Sequence, residues 1–167
     1  SNVNLNFAVQ NEPLGISHAL LQAAPYIENI ERVVFILGDN FFQLNPLHGK
    51  NILNTEYKMG SYVFTYHVED PSEFGVAILD DEGKVISIEE KPENPKSNKA
   101  IVGLYVYDNT VFEKINRLTP SSRGEYEITD LNNLYIKEGL CKSIDINGWW
   151  IDAGTPERIE ELETKLI

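Results

Sequence analysis

Three short stretches carry side chains suited to phosphate and metal chemistry. Leu37-Gly38-Asp39-Asn40 ends the apolar run at residues 33–37 with a carboxylate and an amide. A run apolar at every position reads as a strand covered on both faces, and in open α/β sheets the ends of such strands face the ligand crevice. Asp39 then sits where a metal or a phosphate is handled, although a plain Asx turn accounts for the same residues. Glu89-Glu90-Lys91-Pro92 follows a short strand at 85–88. A lysine there meets a sugar phosphate as a point charge while the glutamate accepts sugar hydroxyls; a solvated charge run is the plainer alternative. In Trp149-Trp150-Ile151-Asp152-Ala153-Gly154-Thr155 an acid lies between aromatics and a helix start, as a second metal ligand or as polar trim. Two aspartates, at 39 and 152, suit a hard cation such as Mg²⁺, commonly held by one or two carboxylates plus substrate phosphates. The stretch Gln10-Asn11-Glu12-Pro13-Leu14-Gly15-Ile16 offers close backbone approach at Gly15 ahead of a helix start, or simply a loop and cap.

Other site chemistries find little support. His18, His48 and His67 are scattered and lack the spacing of a zinc motif. Gly-x-Ser-x-Gly is absent, and the 11 glycines never cluster into a Walker loop or a dinucleotide fingerprint. With 14 Lys plus Arg against 26 Asp plus Glu, the formal charge is −12, which argues against nucleic acid and anionic membrane as partners. A small phosphorylated ligand remains compatible when a divalent cation offsets that charge. Cys141 is alone, which rules out an intramolecular disulfide and favours a reducing, cytoplasmic setting with Cys141 as a small core residue. No apolar stretch approaches the roughly 20 residues of a membrane helix, and no signal peptide is expected.

The elements that must position these residues alternate strands with helices over one domain, residues 1–167. A helix is expected at 17–24 with Ser17 as its N-cap, then the strand at 33–37. Residues 61–68 form a strand rich in Tyr, Val, Phe and Thr, and 75–79 and 84–88 flank Asp80-Asp81-Glu82-Gly83 as a hairpin would. A strand at 101–107 follows, and Asp108 caps a helix whose inner face holds Val111, Phe112, Ile115 and Leu118. A second helix from Ile128 places Leu131, Leu134 and Tyr135 in phase and stops at Gly139. A last strand covers 141–146, and Thr155-Pro156 opens a terminal helix with Ile159, Leu162 and Leu166 on its stripe.

Taken together, the segments resemble the sugar-1-phosphate nucleotidylyltransferases, and within them the thymidylyl-transferring branch. The resemblance runs in order through Gln-x-x-Pro-x-Gly-Ile at 10–16, Leu-Gly-Asp-Asn at 37–40, Phe-Gly-Val at 74–76, Glu-Glu-Lys-Pro at 89–92, Gly-Leu-Tyr-Val-Tyr-Asp at 103–108, Arg-Gly-Glu-Tyr-Glu-Ile-Thr-Asp at 123–130 and Trp-Ile-Asp-Ala-Gly-Thr at 150–155. It implies an α/β, Rossmann-like nucleotide-diphospho-sugar transferase layer sandwich with a mixed sheet. It also implies transfer of a nucleotidyl group from dTTP to glucose 1-phosphate, and a homo-oligomer. By position, Gln10 and Gly15 would contact the base, and Asp39 and Asp152 would hold Mg²⁺ with Asn40 nearby. Gly75, Glu90 and Ile101 would line the hexose, Lys91 would bind its phosphate, and Arg123 would neutralise phosphate charge. The family's Gly-rich triphosphate loop is not found in residues 1–167, so the resemblance implies a partial catalytic domain, truncated at its N-terminus, with impaired turnover. A uridylyl or other sugar nucleotidylyltransferase is the alternative within the class. A non-catalytic sugar-nucleotide-binding regulator is the alternative outside it.

Overall fold

The computed structural model describes residues 3–27, 31–48 and 60–167. Along the chain these form α1 (Ile16–Leu21), β1 (Arg32–Ile36), β2 (Asn40–Phe42), β3 (Ser61–His67), β4 (Gly75–Leu79), β5 (Val85–Glu90), β6 (Lys99–Asp108), α2 (Val111–Ile115), α3 (Ile128–Lys137), β7 (Cys141–Asp145), β8 (Trp150–Asp152) and α4 (Pro156–Leu166).

β6 is the spine of the fold. From Ala100 onward it is buried at every position, because its alternate side chains feed two different cores. Ile101, Tyr105 and Tyr107 pack with Leu20, Val111, Ile115, Leu131 and Tyr135 under the helices. Ala100, Val102, Leu104 and Val106 pack on the opposite face with Tyr62, Phe64 and Trp150. The sheet runs β5-β4-β6-β3-β7, with β1 also on β6. β3 pairs parallel with β7 and the other ladders are antiparallel, giving the mixed α/β sheet expected from sequence.

One feature of this topology creates the site. β3 occupies one edge of β6, while β1 and β4 share the other: β1 lies along Leu104 to Asp108, and β4 touches at Ala100. Between them the edge of β6 opens at Ile101 to Gly103, where Leu37 N–H donates to the Gly103 carbonyl at 2.8 Å. Such forks, where neighbouring strands part, are where open α/β sheets place ligands.

Several local expectations change. The apolar run at 33–37 is not a doubly covered strand. β1 pairs antiparallel with β6, Val33 and Phe35 face the core, and Val34 and Ile36 stand 42% and 54% exposed, the alternation of a half-covered strand. The N-cap of α1 lies two residues earlier than expected, at Gly15, and the Ser17 hydroxyl donates instead to the Glu127 carbonyl at 3.1 Å. It ends at Leu21, and Ala24-Pro25-Tyr26 forms a short 3₁₀ turn, consistent with the bias of a pre-proline residue against continuing an α-helix. Thr110, not Asp108, is the N-cap of α2, and the fully buried Asp108 carboxylate accepts from Thr110 N–H at 3.0 Å and Tyr135 O–H at 2.9 Å. The stop at Gly139 (φ 71) and the Thr155 cap, whose side chain accepts from Arg158 N–H, are as expected. The two short strands β2 and β8 are additions, and they matter most for function.

Candidate active site

β2 and β8 pair antiparallel with Asn40 opposite Asp152, and Ala153 N–H donates to the Asp39 carbonyl at 2.7 Å. This ribbon brings the two aspartates together. A Cβ built on Gly154 would stand 3.0 Å from Asp152 Oδ1 and 3.9 Å from Asp39 Oδ2, so both carboxylates border the space that a side chain at 154 would fill. Asp152 Oδ1 also accepts Gly154 N–H at 3.0 Å. Asn40 orients the other partner. Its buried amide donates to Asp39 Oδ1 at 2.9 Å and accepts from Gly103 N–H at 2.8 Å and Trp150 Nε1–H at 2.7 Å. Only glycine at 103 leaves room for this, since a Cβ there would lie 2.6 Å from the Asn40 amide.

The donor chemistry fits a divalent cation. Two hard carboxylates face one side-chain-free position, and phosphate and water oxygens would complete the shell. Among the described residues no group of three or more His, Cys, Asp or Glu side chains is placed to hold a metal ion, so the protein's share would be the two carboxylates. The need for a cation is also electrostatic. The cavity at the β6 fork, about 290 Å³, is lined by Asp39, Glu73, Glu90, Glu125, Glu127 and Asp152 against Lys91 and Arg123. A phosphate entering such a lining is opposed unless positive charge comes with it.

Of the candidates named from sequence, Asp39, Asn40, Gly75, Glu90, Lys91, Ile101, Arg123 and Asp152 line this one cavity. Gly75 starts β4, and a Cβ there would lie 3.4 Å from Thr129 Oγ1 and 3.6 Å from Glu90 Oε2. The Thr129 hydroxyl donates to that Glu90 oxygen, fixing the carboxylate beside the wall. Lys91 is the non-glycine residue with positive φ (41) among the described residues, held by its N–H to the Phe74 carbonyl at 3.0 Å. Backbone placed there costs on the order of 1 kcal/mol or more and gathers at functional sites. Its ammonium has no carboxylate partner among the described residues. Arg123 differs. Its Nη2 lies 2.8 Å from Glu127 Oε2, its Nε–H donates to Glu127 Oε1 at 3.1 Å, and Glu90 and Glu125 stand 3.7 Å away. The guanidinium thus neutralises a buried carboxylate and anchors the 121–127 loop.

Gln10 and Gly15 lie outside the cavity lining, which their neighbour Ile16 joins. The close approach that Gly15 allows is taken by the protein itself: a Cβ would meet Tyr126 O at 2.8 Å, and Tyr126 N–H donates to the Leu14 carbonyl at 2.8 Å. The Gln10 amide meets Gly15 O at 3.0 Å and His18 Nδ1 at 2.9 Å. The cavity also takes in Phe74, Tyr105, Thr129 and Trp150, which lie inside the quoted motifs without an assigned role, and Asn132, which lies in none of them. Tyr105 sits on the β6 face that carries Ile101, so its alternation was the signal. Burial first, then the charges of Glu90 and Asp152, push its phenol far above the ordinary value, so it stays a hydrogen-bond donor.

Comparisons with known proteins bear on the family and the fold. A family model described as nucleotidyl transferase matches residues 1–167. The chain belongs to the nucleotidyl transferase family. Two relatives named glucose-1-phosphate thymidylyltransferase are 44% identical over 155 residues, in Mycolicibacterium smegmatis, and 38% identical over 167 residues, in Neisseria meningitidis. These matches take in 92% and 95% of this nucleotidyl transferase chain but 53% and 56% of the relatives, so it spans about half their length. Among solved structures, a Bacillus anthracis protein assigned as a glucose-1-phosphate thymidylyltransferase, in complex with a sucrose, is 41% identical with a TM-score of 0.86. That alignment covers 96% of this chain and 64% of the other. A UDP-glucose pyrophosphorylase complexed with UDP-glucose is 27% identical with a TM-score of 0.81, covering 94% and 64%. The two solved structures share this mixed-sheet, Rossmann-like fold. No helix among the described residues is long and apolar enough to cross a membrane.

Proposed function

We propose that residues 1–167 are part of the catalytic domain of a glucose-1-phosphate thymidylyltransferase, transferring a thymidylyl group from dTTP to glucose 1-phosphate in the cytoplasm. The observation that carries this reading is the meeting of Asp39 and Asp152 at a cavity that also holds Glu90 and Lys91, whose ammonium has no carboxylate partner among the described residues. The sugar phosphate oxygen attacks the α-phosphorus in line, a new P–O bond forms, and the bond to the β-phosphate oxygen breaks to release pyrophosphate. An ionised phosphate nucleophile needs no general base. Positioning and charge neutralisation therefore carry the rate.

Mg²⁺ held by Asp39 and Asp152 would supply charge neutralisation at the phosphates. Lys91 binds and orients the attacking phosphate, while Gly75, Glu90 and Ile101 form the hexose wall with the Tyr105 phenol beneath. Arg123 contributes by holding Glu127 and the 121–127 loop rather than as a free charge. The base extends past Ile16 towards Gln10 and Gly15. Thymidylyl transfer is preferred to uridylyl because the thymidylyltransferase relatives share 38% and 44% identity, against 27% for the UDP-glucose pyrophosphorylase.

Pyrophosphate release from glucose 1-phosphate with dTTP or UTP, with and without Mg²⁺, tests the reading. Release that requires Mg²⁺ and favours dTTP supports it; a preference for UTP moves the protein to the uridylyl branch. Binding of dTDP-glucose without any release, in the chain and in a longer parent polypeptide alike, would indicate a non-catalytic binder.

A further inference from the structure

We propose that Arg158 is a resident counter-charge at the candidate cation site, partnering Asp152 in the absence of a divalent cation and weakening the binding of one. The proposal rests on the reading of Asp39 and Asp152 as cation ligands. Arg158 lies in the first turn of α4, where its N–H donates to Thr155 Oγ1 at 3.4 Å. From there its guanidinium reaches back to the site. Nη1 lies 3.7 Å from Asp152 Oδ2, Nη2 lies 2.8 Å from Glu73 Oε2, and the central carbon stands 4.7 Å from the centre of the Phe74 ring. Phe74 packs edge-on against Trp150 with ring centres 5.3 Å apart. A planar, permanently charged group can make all these contacts together.

The two oxygens of Asp152 do different work. Oδ1 accepts Gly154 N–H at 3.0 Å and borders the space shared with Asp39, whereas Oδ2 faces Arg158. The orientation of Oδ1 is therefore kept by a backbone donor and not by the arginine. What Arg158 adds is charge, a full positive unit beside a carboxylate that a second cation also needs. Like charges so placed repel, and little of that repulsion is screened at low ionic strength. Glu73 and the Phe74 ring retain the guanidinium when a cation engages Asp152, so the arginine yields without leaving the site.

Mn²⁺ titrated into the protein and followed by electron paramagnetic resonance tests this without an activity readout. Arg158→Gln is expected to tighten Mn²⁺ binding on the order of three- to tenfold at low salt, with the gain shrinking as ionic strength rises. Arg158→Lys, which keeps the charge, is expected to bind like the parent. Unchanged or weaker binding in a folded Arg158→Gln protein, with Asp152→Asn abolishing binding, overturns the counter-charge proposal alone. Mn²⁺ binding that Asp152→Asn leaves unaltered, or no saturable binding in any variant, removes the cation reading itself and this proposal with it.

Discussion

At the scale of single residues, the surroundings of Lys91 and Arg123 set different chemical uses for two cations at one cavity. Lys91 is exposed, unpaired among the described residues, and carried by left-handed backbone that its neighbours must hold in place. Replacing it by alanine is expected to lower kcat/KM for glucose 1-phosphate by on the order of 10² while leaving the KM for dTTP nearly unchanged, as loss of one preorganised charge contact would. Steady-state kinetics with each substrate varied in turn checks this, and equal losses for both substrates would make Lys91 a structural residue. The motif around Lys91 was legible as a strand-end charge, but its backbone strain was not, because the Phe74 carbonyl that holds it lies on a different segment. Arg123 was legible only as a cation. Its capture by Glu127 depends on the fold of the 121–127 loop, which spacing alone does not give.

At the scale of elements, the β6 fork and the β2–β8 ribbon do the assembling. Gly103 marks where they touch. Gly103→Ala is expected to destabilise the fold by about 1–3 kcal/mol, since the added methyl must displace the Asn40 amide from a packed site. Urea midpoints report the loss, and an unchanged midpoint would mean the fork is looser than the contacts imply. The helical layer offers a pH test. Lys114, 7% exposed at its side chain, pairs with Glu138 at the end of α3 and holds that carboxyl below its ordinary value of 4.5. A carboxyl lowered on folding stabilises the protein above its unfolded value, and that contribution is lost as pH falls through the lower folded value. The stability gap between wild type and Glu138→Gln is therefore expected to be constant at neutral pH and to close below about 4.5, as urea midpoints across pH would show. α3 could be read from periodicity because it buries a regular face through Ile128, Leu131 and Tyr135. β2 and β8 could not, since three residues apiece carry no period, and their pairing depends on contacts across the whole chain. The misreading of β1 has the same root: an apolar run tells what a strand contains, not how many of its faces are covered.

At the scale of the molecule, a net charge of −12 and an acid-lined cavity are at odds with phosphate binding unless a cation joins the complex. Family membership and the mixed sheet agree with the sequence resemblance, which drew on seven ordered motifs that no single segment could have supplied. Their residues converge because β6 carries one cavity wall while the 37–40, 89–92, 123–130 and 150–155 segments surround it. The most direct test is a crystal structure of the chain with dTDP-glucose and Mn²⁺, with the metal located by its anomalous scattering. Mn²⁺ is expected between Asp39 and Asp152, and the hexose against Gly75, Glu90 and Ile101. Mn²⁺ bound away from both aspartates, or the nucleotide sugar seated outside the β6 fork, would contradict that arrangement.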